Sequence, residues 1–522
     1  MHNRDLEATW AYHDVTKHSP KSVRSGRQEL DWGNQPRPFK IYSTLEPIPL
    51  PRDALAEHST IPALQAIAAP EIHAGRAAAP DLKALTRILY YSAGITRRIA
   101  YPGGEILFRA AACTGALYHI ELYLICGDLP GLPAGVYHFG VHDFALRRLR
   151  AGDFRALVVQ ATGGEPSVAA APAVIACSST FWRNAWKYRA RTYRHCFWDN
   201  GTILANILAV AAAHRIPARV IVGFVDGAIN HLLGLDAAQE AALSLVALGH
   251  ASGAPPRAPQ TAEPLSLETV PLSRSAVDYP AIRVMHAASS LADPEEVARW
   301  RGQTQPAVPF APRGRVLPIQ PISDAALPEE PVEPAILRRG SARRFLREPI
   351  TFAQFSTILD RATRGIPVDF PGGVALNDLY LIANAVENLA AGAYVFHRDR
   401  RALELLQEGQ FRPQAGYLAL EQALGADASV DVYLLTDLRR ILAASGNRGY
   451  RAAQLEAGIT GGKFYLATYA LRLGATGLTF YDDDVTAFFS PHAAGKSVTF
   501  LTALGKPARR TFAREVGGAT QV

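Results

Sequence analysis

The chain of 522 residues has few cysteines, with no CxxC pair and no spacing typical of a disulfide scaffold. The four cysteines are Cys113, Cys126, Cys177 and Cys196. This pattern indicates free thiols in a reducing compartment. His195 beside Cys196 has no second pair at ligand spacing, so we predict no metal site.

The sequence also lacks long apolar runs. We find no run that reaches the roughly 20 residues needed to span a bilayer. The polar start MHNRDLEATWAYHDVTKHS has no apolar core of a secretion signal. We therefore expect a cytoplasmic protein without a membrane partner.

Charged residues are sparse, at 19% of the chain, whereas 48% of the residues are hydrophobic. This balance is typical of a folded globular protein and excludes a disordered one. The net charge of +7 raises the alternative of a nucleic-acid partner. However, the basic residues are scattered and are not interleaved with an aromatic stacking platform. We expect no nucleic-acid partner, and an arginine-rich surface with one local anion site explains the charge.

What the sequence does contain is an internal repeat. The segment GVYHFGVHDFALRRLRAGDF starts at Gly135, and the similar GAYVFHRDRRALELLQEGQF starts at Gly392, 257 residues later. The same spacing relates Gly115 to Gly372, Tyr193 to Tyr450, Arg194 to Arg451, and Gly201 to Gly458. A register kept with hardly a gap indicates two fused copies of one domain and not a short-period solenoid.

Each copy alternates predicted strands, rich in Val, Ile, Leu and Tyr, with buried helices. The segment TILANILAVAAAHRI is one such helix, and Asp199 and Asn200 are good capping residues for its start. The pattern predicts an α+β fold of two fused α/β sandwich domains. We place an N-terminal extension without a counterpart at 1–50, domain 1 at 51–255, a Pro-rich linker at 256–330 and domain 2 at 331–522.

Two basic clusters lie at opposite ends of copy two. AILRRGSARRF contains Arg339, Ser341 and Arg343, and arginine suits a phosphate because its guanidinium group forms charge-assisted, bidentate hydrogen bonds. GKPARR places Lys506 and Arg509 directly after the last predicted strand. The two clusters could converge on one anion. The alternative for the first cluster is an ordinary basic helix cap.

These clusters resemble the nitroreductase superfamily, whose members bind FMN at a dimer interface. Copy one is similar to SagB-type dehydrogenases, flavin enzymes that oxidise thiazolines and oxazolines to azoles. The similar segments are RAAACTGALYHIELY, WKYRARTYRHCFWDNGTILANILAVAA and GFVDGAINHLLGLDAAQE. The resemblance covers nearly the whole chain. It implies two nitroreductase-like domains that form a pseudo-dimer within one chain, and it leaves a higher oligomer open.

The resemblance also implies roles for individual residues. The FMN phosphate would be bound by Arg339, Ser341, Arg343, Lys506 and Arg509, and the ring or ribityl chain would be contacted by Arg109, Thr114 and Gly115. Thr479, Phe480 and Tyr481 would pack on the edge of the isoalloxazine. Lys187 and Tyr188 would be catalytic, with Lys187 acting as the base or lowering the pKa of Tyr188 by its charge.

Three places depart from the family pattern. Cys113-Thr114 replaces Pro-Ser, His119 replaces Pro, and Thr202 replaces His. Thr114 can still donate a hydroxyl hydrogen bond. We interpret His119 as a structural histidine, and a functional role near the flavin is the alternative.

The two copies have diverged in complementary ways. Copy one has LPRDALAEHSTIPAL where copy two has its RxSxR pattern, so it lacks the phosphate clamp. Conversely, Lys187 and Tyr188 correspond to Ala444 and Ser445, and RAAACTGALY corresponds to IPVDFPGGVA, which has lost its arginine. We therefore expect one FMN site made by both copies. The second site that the repeat would create, here called the mirror-related site, has neither the phosphate clamp nor the Lys-Tyr pair and should be vestigial.

The sequence thus favours an FMN-dependent oxidoreductase that dehydrogenates a small heterocycle or an azoline-containing peptide. NAD(P)H or O2 would be its redox partner. An NAD(P)H-dependent reductase of nitro or quinone compounds is an alternative. A subunit with the flavin fold that binds a ligand but has no catalytic turnover is a third possibility. The presence of both the phosphate clamp and the Lys-Tyr pair in one expected site argues against it.

Overall fold

The chain folds into two seven-stranded sheets and one small hairpin. The computed structural model describes residues 2–25, 29–68, 79–102, 104–251, 261–303 and 311–508. The strands in these ranges are β1 (Pro47–Pro49), β2 (Ile95–Tyr101), β3 (Gly104–Arg109), β4 (Ile120–Cys126), β5 (Gly135–Gly140), β6 (Ala145–Ala151), β7 (Ala173–Thr180), β8 (Ala218–Ile221), β9 (Glu240–Leu248), β10 (Val316–Pro318), β11 (Asp378–Ala383), β12 (Gly392–His397), β13 (Ala402–Glu408), β14 (Val430–Thr436), β15 (Gly474–Leu478) and β16 (Ser497–Gly505).

Helices cover both sheets. They are α1 (Leu6–Val15), α2 (Pro20–Ser25), α3 (Ala63–Ala68), α4 (Leu82–Ala93), α5 (Arg155–Ala161), α6 (Pro166–Ala170), α7 (Phe181–Tyr188), α8 (Thr192–Ala213), α9 (Asp226–Leu233), α10 (Pro280–Ala288), α11 (Pro294–Arg301), α12 (Val332–Arg338), α13 (Phe352–Thr363), α14 (Arg412–Leu418), α15 (Ala423–Asp427), α16 (Leu438–Ala470) and α17 (Asp482–Phe488). The helix predicted to start at Asp199 is α8, which begins earlier, at Thr192. Asp199 is therefore an interior residue and not a cap.

The two large sheets have the same topology. The strand order is β1-β6-β5-β4-β7-β9-β8 in the first sheet and β10-β13-β12-β11-β14-β16-β15 in the second. Neighbouring strands within each sheet are antiparallel, as in the central pairs β4–β7 and β11–β14. Each strand of one sheet has a counterpart in the other. The predicted α+β fold of two similar domains is confirmed.

The long helices α8 and α16 cross at the centre of the molecule, at a pair of glycines. A Cβ on Gly201 would lie 2.4 Å from the backbone carbon of Gly458, and a Cβ on Gly458 would lie 2.7 Å from the carbonyl oxygen of Phe197. Only glycine permits such a close backbone approach. The glycine pair that marks the repeat therefore lies where the two domains meet, on the pseudo-two-fold axis of the duplication.

Two buried ion clusters, related by the same repeat, connect the domains. Arg191 and Arg194 of α8 donate to Asp482 at 2.9 and 2.6 Å, and Arg448 and Arg451 of α16 donate to Asp226 at 2.8 and 2.6 Å. Burial raises the pKa of Asp226, but its two arginines outweigh burial and lower that pKa to about 2. Both aspartates therefore carry a negative charge inside the interface.

The N-terminal extension has a counterpart in the segment predicted to be a linker. Helices α1 and α10 pack against each other. Arg194 donates to the carbonyl oxygen of His13 at 2.6 Å, and Arg451 donates to that of His286 at 2.7 Å. The spacing from His13 to His286 is 273 residues and not 257. The expectation that residues up to about 50 have no counterpart is therefore wrong, because the changed spacing hid the relation.

One helical stretch, Phe181–Ala213, is long and apolar enough to cross a membrane by length and composition. It contains α7 and α8. The expectation that no apolar run is long enough to span a bilayer is therefore wrong for this stretch. However, 94% of its most apolar window is buried inside the protein. A core helix of a folded domain passes the same test, so the stretch is weak evidence for a membrane.

Candidate functional site

The clamp loop, residues 339–344, leaves α12 and runs along the end of β16. The N–H of Leu346 donates to the carbonyl oxygen of Lys506 at 2.9 Å, and the N–H of Ala508 donates to that of Arg344 at 3.1 Å. The two basic clusters of domain 2 therefore lie side by side, although they are far apart in the sequence.

The basic side chains of this region differ in their contacts. Arg343 is exposed and forms no ion pair with any residue in the described part of the chain, and Ser341 is half-buried nearby. Lys506 instead pairs with Glu348 at 3.3 Å. Arg509 lies outside the described residues. Arg343 is thus the member of the predicted phosphate set without an ion pair in the described residues, and the Ser341 hydroxyl lies 3.3 Å from that of Tyr465.

Arg339 connects the clamp loop to the lid segment of domain 1, residues 109–119. Its Nε donates to the carbonyl oxygen of Ala110 at 2.9 Å, and its Nη2 donates to that of Arg109 at 2.7 Å. These hydrogen bonds bring the clamp and the lid together across the domain boundary. They also occupy two nitrogens of Arg339, one of the residues predicted to bind the phosphate.

Asp199 of α8 holds the lid in place. The Thr114 hydroxyl and N–H donate to Asp199 Oδ1 at 2.7 and 2.9 Å, and Cys113 Sγ lies 3.1 Å from Oδ2. The His119 ring contacts Asp199 Oδ2 and Ser179 Oγ, both at 2.8 Å. Sequence reasoning missed this role of Asp199, because a carboxylate near a predicted helix start indicates a cap. His119 is fully buried with both ring nitrogens bonded, as a structural histidine would be.

The same network bears on two expectations about the lid. The Thr114 hydroxyl donates to Asp199, so it can only accept a hydrogen bond from a ligand, contrary to the donation we expected. Cys113, His119 and Asp199 place their ligand atoms within 4.8 Å of one another, close enough to hold a metal ion. Here they bond to each other, and burial followed by the Asp199 charge raises the pKa of the Cys113 thiol.

Arg109 begins the lid, and its guanidinium group is buried in domain 1. It donates to the carbonyl oxygen of Pro38 and lies 5.5 and 5.1 Å from the ring centres of Phe39 and Tyr118. Burial lowers its pKa to about 10. The side chain thus ties the N-terminal extension to the lid, and this position does not support the predicted contact with the flavin.

Gly115 allows the lid to approach the end of α7. Its φ angle is +61°, and a Cβ at this position would lie 2.7 Å from the hydroxyl oxygen of Tyr188. A side chain would therefore push Tyr188 away from the lid. The structure brings Gly115, Thr114 and Tyr188 together, as the resemblance implied.

Lys187 and Tyr188 end α7 next to the clamp. Lys187 Nζ lies 5.5 Å from the centre of the Tyr188 ring. Burial and the charge of Arg343 lower the pKa of Lys187. Burial, Asp199 and Cys113 raise the pKa of Tyr188 well above its usual range. These shifts favour the first of the two predicted roles, Lys187 as the base, because Lys187 is not among the charges that shift the pKa of Tyr188.

The backbone directly after this pair is strained. Arg189 has φ 51° and ψ −138°, and its counterpart in α16 is Gly446, with φ 63° and ψ −162°. A residue other than glycine costs about 1–3 kcal/mol in such a conformation, and this kind of strain clusters at functional sites. Only copy one carries the strained residue, directly after Lys187 and Tyr188.

The strand ends behind the clamp differ between the two domains. The N–H groups of Thr479 and Phe480, after β15, donate no hydrogen bond within the described residues. Their counterparts, 257 residues earlier, are Val222 and Gly223, which donate to the carboxylate of Asp369 at 2.6 and 3.0 Å. The same pair of N–H groups is free in one half and capped in the other.

The segment that supplies Asp369 is the counterpart of the lid, and it lies along β8. The backbone N–H of Val220 donates to the carbonyl oxygen of Pro367 at 2.8 Å, and the backbone N–H of Asp369 donates to that of Val220 at 3.2 Å. Arg301 also contacts the Asp369 carboxylate, at 3.3 Å. In domain 2 the N–H of Gly477, the counterpart of Val220, contacts the Tyr465 hydroxyl instead, so the lid does not pair with β15. The mirror-related site is thus filled by its own chain.

The counterpart of the clamp loop lies later in copy one than we expected. Pro62 and Pro331 pair with each other across the axis and precede α3 and α12 respectively. The residues that follow α3, 69–78, lie outside the described residues. Their sequence, APEIHAGRAA, has no RxSxR pattern. LPRDALAEHSTIPAL precedes this place, but copy one still lacks the motif.

Comparisons with known proteins agree with this fold. Residues 336–505 match the model of the nitroreductase family. A protein of Methanocaldococcus jannaschii that is named as a nitroreductase is 24% identical over 161 residues, which are 30% of this chain and 81% of that protein. The crystal structure of an Anabaena variabilis protein, also named as a nitroreductase, aligns with a TM-score of 0.75 at 25% identity and covers 96% of this chain and 99% of that one.

Proposed function

Because residues 336–505 form a domain of the nitroreductase family, a family of oxidoreductases, we propose that the chain is an FMN-dependent oxidoreductase of SagB type. Its substrate would be a small heterocycle or an azoline-containing peptide. One observation carries this proposal. The clamp of domain 2 is joined to the lid of domain 1 by the two Arg339 hydrogen bonds, and Gly115 of that lid lies against Tyr188, next to Lys187.

The residues at this place fit FMN. Arg343, which forms no ion pair within the described residues, offers its guanidinium group for a phosphate, and Ser341 offers a hydroxyl. The backbone N–H groups of Thr479 and Phe480 have no acceptor within the described residues, and Phe480 is fully buried. Two adjacent N–H groups without an acceptor in the described residues can donate to a ligand with acceptor atoms, such as the edge of a flavin ring, and this supports FMN at this place.

The residues of the chain have separate tasks in this proposal. FMN, when bound, accepts a hydride from the substrate. Lys187 takes the proton that leaves the same substrate, because its lowered pKa increases the neutral, basic form at physiological pH. Tyr188 stays protonated and can donate a hydrogen bond to the substrate. Asp199 and Arg339 hold the lid over the place where these groups meet.

The mirror-related site supports a single cofactor per chain. The carboxylate of Asp369 takes the two N–H groups that correspond to those of Thr479 and Phe480. A ligand there would have to displace a buried carboxylate and a paired backbone segment. Copy two also has Ala444 and Ser445 in place of the Lys-Tyr pair.

A second candidate function is the reduction of nitro or quinone compounds by NAD(P)H. The names of the M. jannaschii and A. variabilis proteins favour it. Such a reduction needs no base to remove a proton from a carbon atom. The Lys-Tyr pair, which occurs only in copy one and precedes the strained Arg189, is therefore better explained by dehydrogenation.

Anaerobic mixing of the FMN-loaded protein with a synthetic peptide that contains one thiazoline ring tests the proposal. We expect the visible absorbance of the flavin to bleach, and the peptide to lose a hydride and a proton and become a thiazole. The matched control is the same peptide with a thiazole already in place, which should not bleach the flavin. Bleaching by NADPH alone, with reoxidation by a quinone and no reaction of either peptide, would instead support the second candidate.

A further inference from the structure

The N-terminal segment reaches the proposed flavin site at His18. The N–H of His18 donates to Asp482 Oδ2 at 2.8 Å, and its carbonyl oxygen accepts from the N–H of Asp482 at 3.0 Å. The Nδ1 of its ring lies 3.1 Å from Thr479 Oγ1. His18 is therefore held by its backbone and contacts the residue that carries one of the two free N–H groups.

The mirror half builds the same scaffold with different side chains. Leu291, which follows His18 by 273 residues, donates its N–H to Asp226 Oδ2 at 2.9 Å and accepts from the N–H of Asp226 at 3.2 Å. This spacing is the one that relates α1 to α10. Val222 stands in the place of Thr479. One half thus has a histidine and a threonine where the other has a leucine and a valine.

This difference separates a structural role of His18 from a functional one. The scaffold forms with leucine in the mirror half, so folding does not require a histidine at this position. The polar pair occurs only in the half that has the clamp and the Lys-Tyr pair. Burial and Arg191 lower the pKa of His18 to about 3. The imidazole is therefore neutral near pH 7, and it serves as a hydrogen-bond partner and not as an acid or base.

We propose that His18 is a positioning residue of the flavin site, which fixes the Thr479 hydroxyl and with it the strand end that presents the free N–H groups. This inference rests on the proposed function. It makes the N-terminal segment a part of the composite site. His18 acts through Thr479, so its loss should change how the flavin is held more than whether the chain folds.

The test compares His18→Leu, His18→Asn and the mirror control Leu291→Met in the full-length, FMN-loaded protein. We expect His18→Leu to raise the Kd of FMN about fivefold or more, as the loss of one hydrogen bond predicts, and to shift the reduction potential of the flavin. His18→Asn should restore both values, because its amide can bond to the Thr479 hydroxyl. Leu291→Met should resemble the wild type.

The possible outcomes separate the two roles. A lower melting temperature in His18→Leu with an unchanged Kd and an unchanged potential would make His18 structural and overturn the inference. Wild-type values in all three variants would overturn it as well. A wild-type protein that binds no FMN would instead refute the proposed function, which these variants do not test.

Discussion

Replacing Lys187 by alanine should slow the oxidation of an azoline substrate about 100-fold or more, which is the usual contribution of a general base. The bound FMN and the melting temperature should not change, because copy two keeps the same fold with Ala444 at this position. Reduction of a quinone by NADPH should fall much less, since it needs no base to remove a proton from carbon. Steady-state rates with both substrate pairs measure the difference.

A pH profile adds a second measurement to this variant. Burial and Arg343 lower the pKa of Lys187, so the rate should rise with pH along a limb that lies below the usual lysine pKa of about 10.4. Lys187→Ala should lose this limb. Lys83→Ala is the matched control, because Lys83 is an exposed partner of Asp53. If Lys187→Ala keeps both azoline oxidation and quinone reduction, the aliphatic part of Lys187 only packs at the domain interface. The proposal of an azoline substrate then loses its main support.

Replacing Asp482 by alanine should destabilise the protein by about 3–5 kcal/mol, because two buried arginines would lose their counter-charge. Arg191 and Arg194 both donate to this carboxylate, and all three side chains are buried. The matched control is Asp483→Ala, since the side chain of Asp483 is 77% exposed and pairs only with Lys17 in the part of the chain that the structure describes. That variant should change stability by less than about 1 kcal/mol.

The same clusters predict how stability depends on pH. Their arginines hold the pKa of Asp482 well below its usual range and that of Asp226 at about 2, although burial acts in the opposite direction. A carboxylate with a lowered pKa contributes its stability above the unfolded-state pKa of about 3.9 and loses it as the pH falls toward the folded-state value. The melting temperature should drop steeply below pH 4 in the wild type and less in Asp482→Ala. Equal melting temperatures for Asp482→Ala and Asp483→Ala would contradict this account.

The sequence predicted the structure well where only one residue type can meet a physical requirement. Gly201 and Gly458 recur because two backbones meet there, and this contact preserves the repeat that predicted two similar domains. Arg343 and Lys187, predicted site residues from different copies, lie close enough for the charge of Arg343 to lower the pKa of Lys187, and their roles stay predictions. Motifs of this kind survive in sequence because few other residues can replace them.

It was less effective where the role of a residue depends on its partners. Arg339 and Arg109 bind backbone carbonyl groups, and nothing in their sequence context distinguishes this use from a contact with the FMN phosphate or with the flavin. Asp199 resembled a helix cap, although it holds the lid. The capping of the mirror site by Asp369 depends on N–H groups more than a hundred residues away. Such contacts appear only once the fold has brought the segments together.

The amount of FMN released by heat from a known amount of purified protein tests the composite site most directly. We predict one FMN per chain. We also predict a lower occupancy in dilute Arg343→Ala, because the loss of one ionic phosphate contact costs roughly 1.5–3 kcal/mol, or tenfold and more in affinity. Asp369→Ala should also hold one FMN per chain, because the mirror-related site has no clamp motif. Two FMN molecules per wild-type chain, or full occupancy of Arg343→Ala on dilution, would contradict a single site shared by the two domains.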